Sequence, residues 1–137
     1  MKAVFVDSAY WIAVIKHHDP HRRAALDAAE GLGPARLVTT EEVLVETFSG
    51  LGRADSHVRR SAAAFVRRLL DRPDVTVIPQ SHESFLSGLD QYEKRLDKGY
   101  SLVDCISMRA MQRRRLRTAL TPDRHFAQEG FQALMRL

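Results

Sequence analysis

The sequence is short of most things that staple or anchor a small protein. Of its 137 residues only one, Cys105, is a cysteine, so no internal disulfide framework exists and the redox chemistry fits a reducing cytoplasm. The longest unbroken apolar run, Ala9–Ile15, is seven residues, far below the ~20 needed to span a bilayer. The first residues lack the basic-then-apolar layout of a secretory signal, because Asp7 interrupts them. Repeats, low-complexity tracts and linkers are also missing, and the expectation is a single domain over residues 1–137. Lysine is scarce: 17 of the 21 basic residues are arginine, and the formal net charge is +4. Pairs at Arg22-Arg23, Arg59-Arg60 and Arg67-Arg68, and the Arg113–Arg115 run with Arg117, suit a phosphate-bearing partner. They equally suit the solvated faces of helices, so charge alone assigns nothing.

What is present begins with Val4-Phe5-Val6, an apolar run that reads as a strand covered on both faces. It stops at Asp7, and an apolar-rich helical segment follows at once. A carboxylate at that junction lies at the C-terminal edge of a parallel sheet, where open α/β sheets bind ligands. Three further acids stand in similar positions. Arg36–Thr39 reads as a second strand, and Thr39 with Glu42 has capping-box spacing for a helix containing Glu42 and Glu46 on one face. Ser101 and Asp104 have the same spacing at another helix start. Thr118–Leu120 reads as a strand that runs into Thr121-Pro122-Asp123. Three acids have a plainer explanation: Glu42 and Asp104 as caps, Glu46 as a solvated side chain.

The intervening segments alternate helix and strand. Asp19-Pro20 opens a helix to about Glu30, Ser56 caps one to about Asp71, Val75–Ile78 is a strand, and Ser81 caps a helix with an apolar stripe of Phe85, Leu89, Tyr92 and Leu96. Residues 130–135 can close the sheet as an edge strand. Alternation of this kind argues for a doubly wound α/β domain. His17, His18 and His21 invite a metal site, but Pro20 interrupts them and no further His or Cys completes a tetrahedral set. Cys105 has no activating histidine beside it and reads as a small buried residue.

Two carboxylates ~4 Å apart repel by about 4 kcal/mol at an effective dielectric of 20. Four acids at one sheet edge therefore need a multivalent cation, and oxygen ligands select Mg²⁺ or Mn²⁺. An acidic metal pocket on a basic domain suits phosphodiester hydrolysis. Other α/β chemistries fail on particular residues. A haloacid-dehalogenase-type phosphatase needs an aspartate where Ala9 stands, a phosphoacceptor receiver needs one after the third strand where Pro79-Gln80 follows, and no P-loop is present.

Val6-Asp7-Ser8, Glu46 within Thr40–Phe48, Tyr100–Cys105 and Thr121–Phe126, in that order, resemble the PIN-domain ribonucleases, in particular the VapC-type toxins of bacterial toxin–antitoxin pairs. The resemblance implies a PIN-like domain with a five-stranded parallel sheet flanked by helices on both faces. It implies Mg²⁺- or Mn²⁺-dependent endoribonuclease activity on single-stranded RNA, such as tRNA or rRNA. Asp7, Glu46, Asp104 and Asp123 would be the catalytic, metal-binding acids, with Ser8 and Thr121 orienting the site and Glu42 an optional outer member. Val103 departs from relatives that carry a hydroxyl residue there. The resemblance also implies a homodimer silenced by a small VapB-type antitoxin in the cytoplasm, with no membrane partner. The alternatives are a non-catalytic RNA-binding module of the same fold and a housekeeping RNA-processing or DNA nuclease.

Overall fold

A computed structural model describes residues 1–136, so the last position of the expected domain, residue 137, lies outside the described residues. The elements alternate as β1 (Lys2–Val6), α1 (Ser8–Ile15), α2 (Arg22–Leu32), β2 (Ala35–Thr40), α3 (Glu41–Leu51), α4 (Ser56–Asp71), β3 (Val75–Ile78), α5 (His82–Lys94), α6 (Leu102–Arg114), β4 (Thr118–Leu120), α7 (Arg124–Gln128) and β5 (Gln132–Ala133). The five strands form one sheet, all parallel, in the order β3-β2-β1-β4-β5. The five-stranded parallel α/β architecture expected above is the one observed. No described helix is long and apolar enough to cross a membrane.

β1 is central because it can be. Val4, Phe5 and Val6 are each 0% exposed, so successive side chains pointing to opposite faces are both covered. Phe5 pairs with Val38 on one side and Ala119 on the other. The chain leaves β1 toward β2 and β3 in one direction and reaches β4 and β5 in the other. The strand order therefore reverses between β1 and β4, and the crevice of such a sheet opens at that switch point. Beneath it Trp11, Phe5, Met108, Met111, Leu120 and Phe126 fill the core, and Cys105 is fully buried among them.

Several helix starts differ from expectation. Thr40, not Thr39, caps α3, accepting from the Val43 amide at 3.0 Å. Thr39 is the penultimate residue of β2, and its hydroxyl donates to the Val6 carbonyl at 2.9 Å. Asp55 rather than Ser56 caps α4. Asp19 caps a turn, receiving the His21 amide at 2.9 Å, and α2 begins only at Arg22 and runs through Gly31 to Leu32.

α5 forms where expected, capped by Ser81. Its apolar stripe faces outward: Phe85, Leu86, Leu89 and Tyr92 are exposed, as is Leu96 just beyond its end at 74%. The face turned to α6 carries Ser84, Ser87, Gly88 and Gln91 instead. The reason lies at Gly88, where a Cβ would overlap the Ile106 side chain and press to 3.3 Å from its backbone. At that point the helices approach so closely that no side chain fits between them.

Candidate active site

The switch point brings acids from four elements together. Asp7 ends β1 and caps α1, its Oδ1 accepting from the Ser8 amide at 2.8 Å. Its Oδ2 accepts from the Thr121 hydroxyl at 2.9 Å, and its own amide donates to the Leu120 carbonyl, so β4 holds it from the far side of the crevice. Thr121 also accepts from the Asp123 amide at 3.1 Å. One buried hydroxyl thus fixes both the carboxylate of Asp7 and the backbone that presents Asp123.

Glu46 projects from α3, where Ser8 Oγ donates to its Oε1 at 2.7 Å. Asp104 is the third residue of α6 and completes a capping box with Ser101. The Asp104 amide donates to Ser101 Oγ at 3.0 Å, and the Ser101 amide donates to Asp104 Oδ2 at 3.1 Å. Asp123 caps α7, accepting from the His125 amide at 2.9 Å. The cap and the cluster readings of Asp104 and Asp123 hold together, because the helix starts sit on the crevice.

Burial and mutual charge shape the electrostatics. Asp7 is 5% exposed, and desolvation pushes its carboxyl up to about 7, against the opposing hydrogen bonds from Ser8 and Thr121. The charges of Asp104 and Glu46 push it in the same direction. Glu46 is raised by burial too, with Asp104 and Asp123 adding to the shift and Ser8 opposing it. Asp7 and Glu46 therefore both feel other acids of the set. Among the described residues no lysine or arginine forms an ion pair with any of the four, and the basic group beside them is the imidazole of His125.

His125 is the residue that the sequence reading passed over. Its Nδ1 lies 3.3 Å from Asp104 Oδ2 and 3.3 Å from Asp123 Oδ1. Donor atoms of Asp104, Asp123 and His125 all fall within 4.8 Å of one another, close enough to share a cation. The signal was an Asp-x-His spacing at a strand end, but its approach to Asp104 is a tertiary fact. The set fits a divalent cation: hard oxygen donors predominate, their charge is uncompensated by arginine, and burial has already stripped part of their water. His17, His18 and His21 form no such group among the described residues.

Glu42 is placed elsewhere. Its Oε2 accepts from Ser84 Oγ at 2.7 Å, and it lines a cleft of about 140 Å³ with Arg109, Arg113 and Arg114. The first turn of α3 faces the start of α5, so Glu42 bonds to Ser84 while Glu46, one turn on, bonds to Ser8.

A parallel sheet in this order with acids from β1, α3, α6 and the β4 end at its switch point matches one family. The chain belongs to the PIN domain family, whose model matches residues 4–131. Among solved structures it is similar to VapC20 of Mycobacterium tuberculosis, described as a sarcin-ricin loop cleaving toxin. The TM-score is 0.80 at 25% sequence identity, over 93% of this chain and 95% of that one. No curated protein sequence matches it.

Proposed function

We propose that the chain is a divalent-metal-dependent endoribonuclease that cuts single-stranded RNA as the toxin of a toxin–antitoxin pair. The observation that carries this reading is the convergence of Asp7, Glu46, Asp104 and Asp123 at the β1–β4 switch point with no arginine or lysine paired to them among the described residues. These four residues would hold Mg²⁺ or Mn²⁺. When bound, such an ion supplies a Lewis acid for the phosphodiester and lowers the pKa of a water molecule.

The protein's own part is placement. Thr121 and the Ser8 amide fix both oxygens of Asp7, Ser8 Oγ fixes Glu46, and the capping box fixes Asp104. Side chains held this way need little reorganisation when substrate arrives. Arg113 and Arg114, in the cleft beside α6, offer guanidinium groups to the RNA backbone away from the scissile bond. The substrate class follows the description of the similar M. tuberculosis toxin, and rRNA and tRNA are the first RNAs to try.

Two partners belong to the same reading. A homodimer is supported by the outward apolar stripe of α5, where Phe85, Leu86, Leu89 and Tyr92 are exposed together. A small VapB-type antitoxin would have a second apolar surface available, where Val45, Phe48 and Leu70 are exposed along α3 and α4. The proposed place of action is the cytoplasm.

The test is cleavage of total cellular RNA and of a single-stranded RNA panel by the purified chain, with Mg²⁺, with Mn²⁺ and with EDTA. Metal-dependent cutting that Asp104→Asn abolishes while RNA binding persists is the expected result. RNA binding without cutting on any substrate would favour the non-catalytic module.

A further inference from the structure

We propose that His125 is a nitrogen ligand of the cation in this site and biases it toward Mn²⁺ over Mg²⁺; the inference rests on the metal-site reading above. Cis donors in an octahedral shell with bonds of ~2.1 Å lie about 3.0 Å apart, and trans donors about 4.2 Å. The imidazole Nδ1 stands 3.3 Å from an oxygen of Asp104 and 3.3 Å from an oxygen of Asp123, a few tenths of an ångström from the cis spacing. The limit of 4.8 Å that contains all three donors lets the two carboxylates take either cis or trans positions. A shared cation would need only small movements to engage all three.

The ring is also held, as a side chain free in solvent would not be. The His125 amide donates to Asp123 Oδ1, which fixes the residue's backbone against one of the two acids. The Tyr100 ring tilts against the imidazole with centroids 5.1 Å apart. Tyr100 is buried, and its hydroxyl donates to Glu129 Oε2 at 3.2 Å. Glu129 in turn accepts from Arg95 Nε at 2.7 Å and Gln91 Nε2 at 3.2 Å. A braced chain from α5 through α7 thus sets which edge of the imidazole meets the acids. An all-oxygen shell suits Mg²⁺, whereas an imidazole nitrogen adds affinity for Mn²⁺ and later divalent metals.

The experiment is pulsed electron paramagnetic resonance on the full chain loaded with Mn²⁺, read for modulation from a directly bound ¹⁴N nucleus. It is paired with Mn²⁺ and Mg²⁺ binding titrations by calorimetry. Wild type is expected to show nitrogen modulation, and His125→Gln to lose it. Mn²⁺ affinity should fall on the order of 10-fold in that variant while Mg²⁺ affinity changes by less than about threefold. Labelling the histidines of the wild-type chain with ¹⁵N should change the modulation to that of ¹⁵N, which tests the assignment without any substitution. Mn²⁺ bound with no nitrogen coupling overturns the proposal and leaves the carboxylate site standing. An equal loss of both ions in His125→Gln also overturns it, because that is the signature of a residue that only positions the acids. Wild type that binds neither ion removes the metal-site reading as well.

Discussion

Asp7→Asn should make the metal-free protein more stable at neutral pH while destroying the site. The carboxyl of Asp7 is raised from 3.8 to about 7 by burial at the β1 end. Between those values the folded chain holds a proton that the unfolded chain has released, so stability falls as pH rises through this window. A shift of that size corresponds to about 4 kcal/mol of penalty, absent near pH 4 and fully developed above pH 7. An asparagine carries no such charge. It does lose one acceptor, so the Thr121 hydroxyl no longer donates there, at a cost of about 1 kcal/mol. The variant should therefore be about 1 kcal/mol less stable than wild type at pH 3 and about 3 kcal/mol more stable at pH 8, with the two curves crossing at about pH 4.5. For a chain of this length that is a rise in Tm of about 10 °C at pH 8. Urea unfolding of both proteins in EDTA at several pH values measures it, and comparing the pair cancels the titrating groups that do not interact with Asp7. Adding Mn²⁺ should then close most of the gap at pH 8: at 100 times its Kd the ion stabilises wild type by about 2.7 kcal/mol and the variant by much less. A difference between the curves that is flat with pH would refute the reasoning, as would a variant less stable at pH 8.

Other substitutions probe separate parts of the structure. Thr121→Val removes the hydroxyl that serves both Asp7 and the Asp123 amide, and should cost about 1–3 kcal/mol of stability, read by urea unfolding. Its cleavage rate should fall on the order of 100-fold or more, read with saturating metal, because a site displaced by ~1 Å loses about that much. Gly88→Ala forces α5 off Ile106 and should lower stability by about 1–3 kcal/mol, measured by thermal unfolding. Leu89→Glu, on the outward face of α5, should change thermal stability of the isolated fold little yet convert a dimer to a monomer in sedimentation velocity.

What local sequence could show was chemistry set by neighbours in the chain. Val4–Val6 ending in Asp7 announces a buried strand and its tip, and Ser101 with Asp104 announces a capping box that forms as written. Thr39 shows the limit of that reasoning. Its spacing to Glu42 satisfies the capping pattern, but β2 claims it for pairing and its hydroxyl is taken by Val6, so the cap passes to Thr40. The stripe on α5 was legible as a period, while the direction it faces depended on how closely Gly88 lets α6 approach. The five-residue α7 is too short to carry a period at all. Three of the four acids follow a strand tip or helix start directly. His125 escaped because its meaning lies in Asp104, 21 positions earlier in the chain.

The hydrogen bond from Thr121 to Asp7 spans 114 positions, and that separation has a consequence during synthesis. A ribosome that has made β1, α3 and α6 has already made Asp7, Glu46 and Asp104. Ser8 can already join Asp7 to Glu46, but the second oxygen of Asp7 has no partner until β4 slots in beside β1 and brings Thr121, Asp123 and His125 with it. Every nascent fragment that stops before residue 118 lacks one wall of the crevice. On the proposed activity, the messenger and ribosome producing the chain would meet a formed site only after residues 118–125 are made and folded against β1.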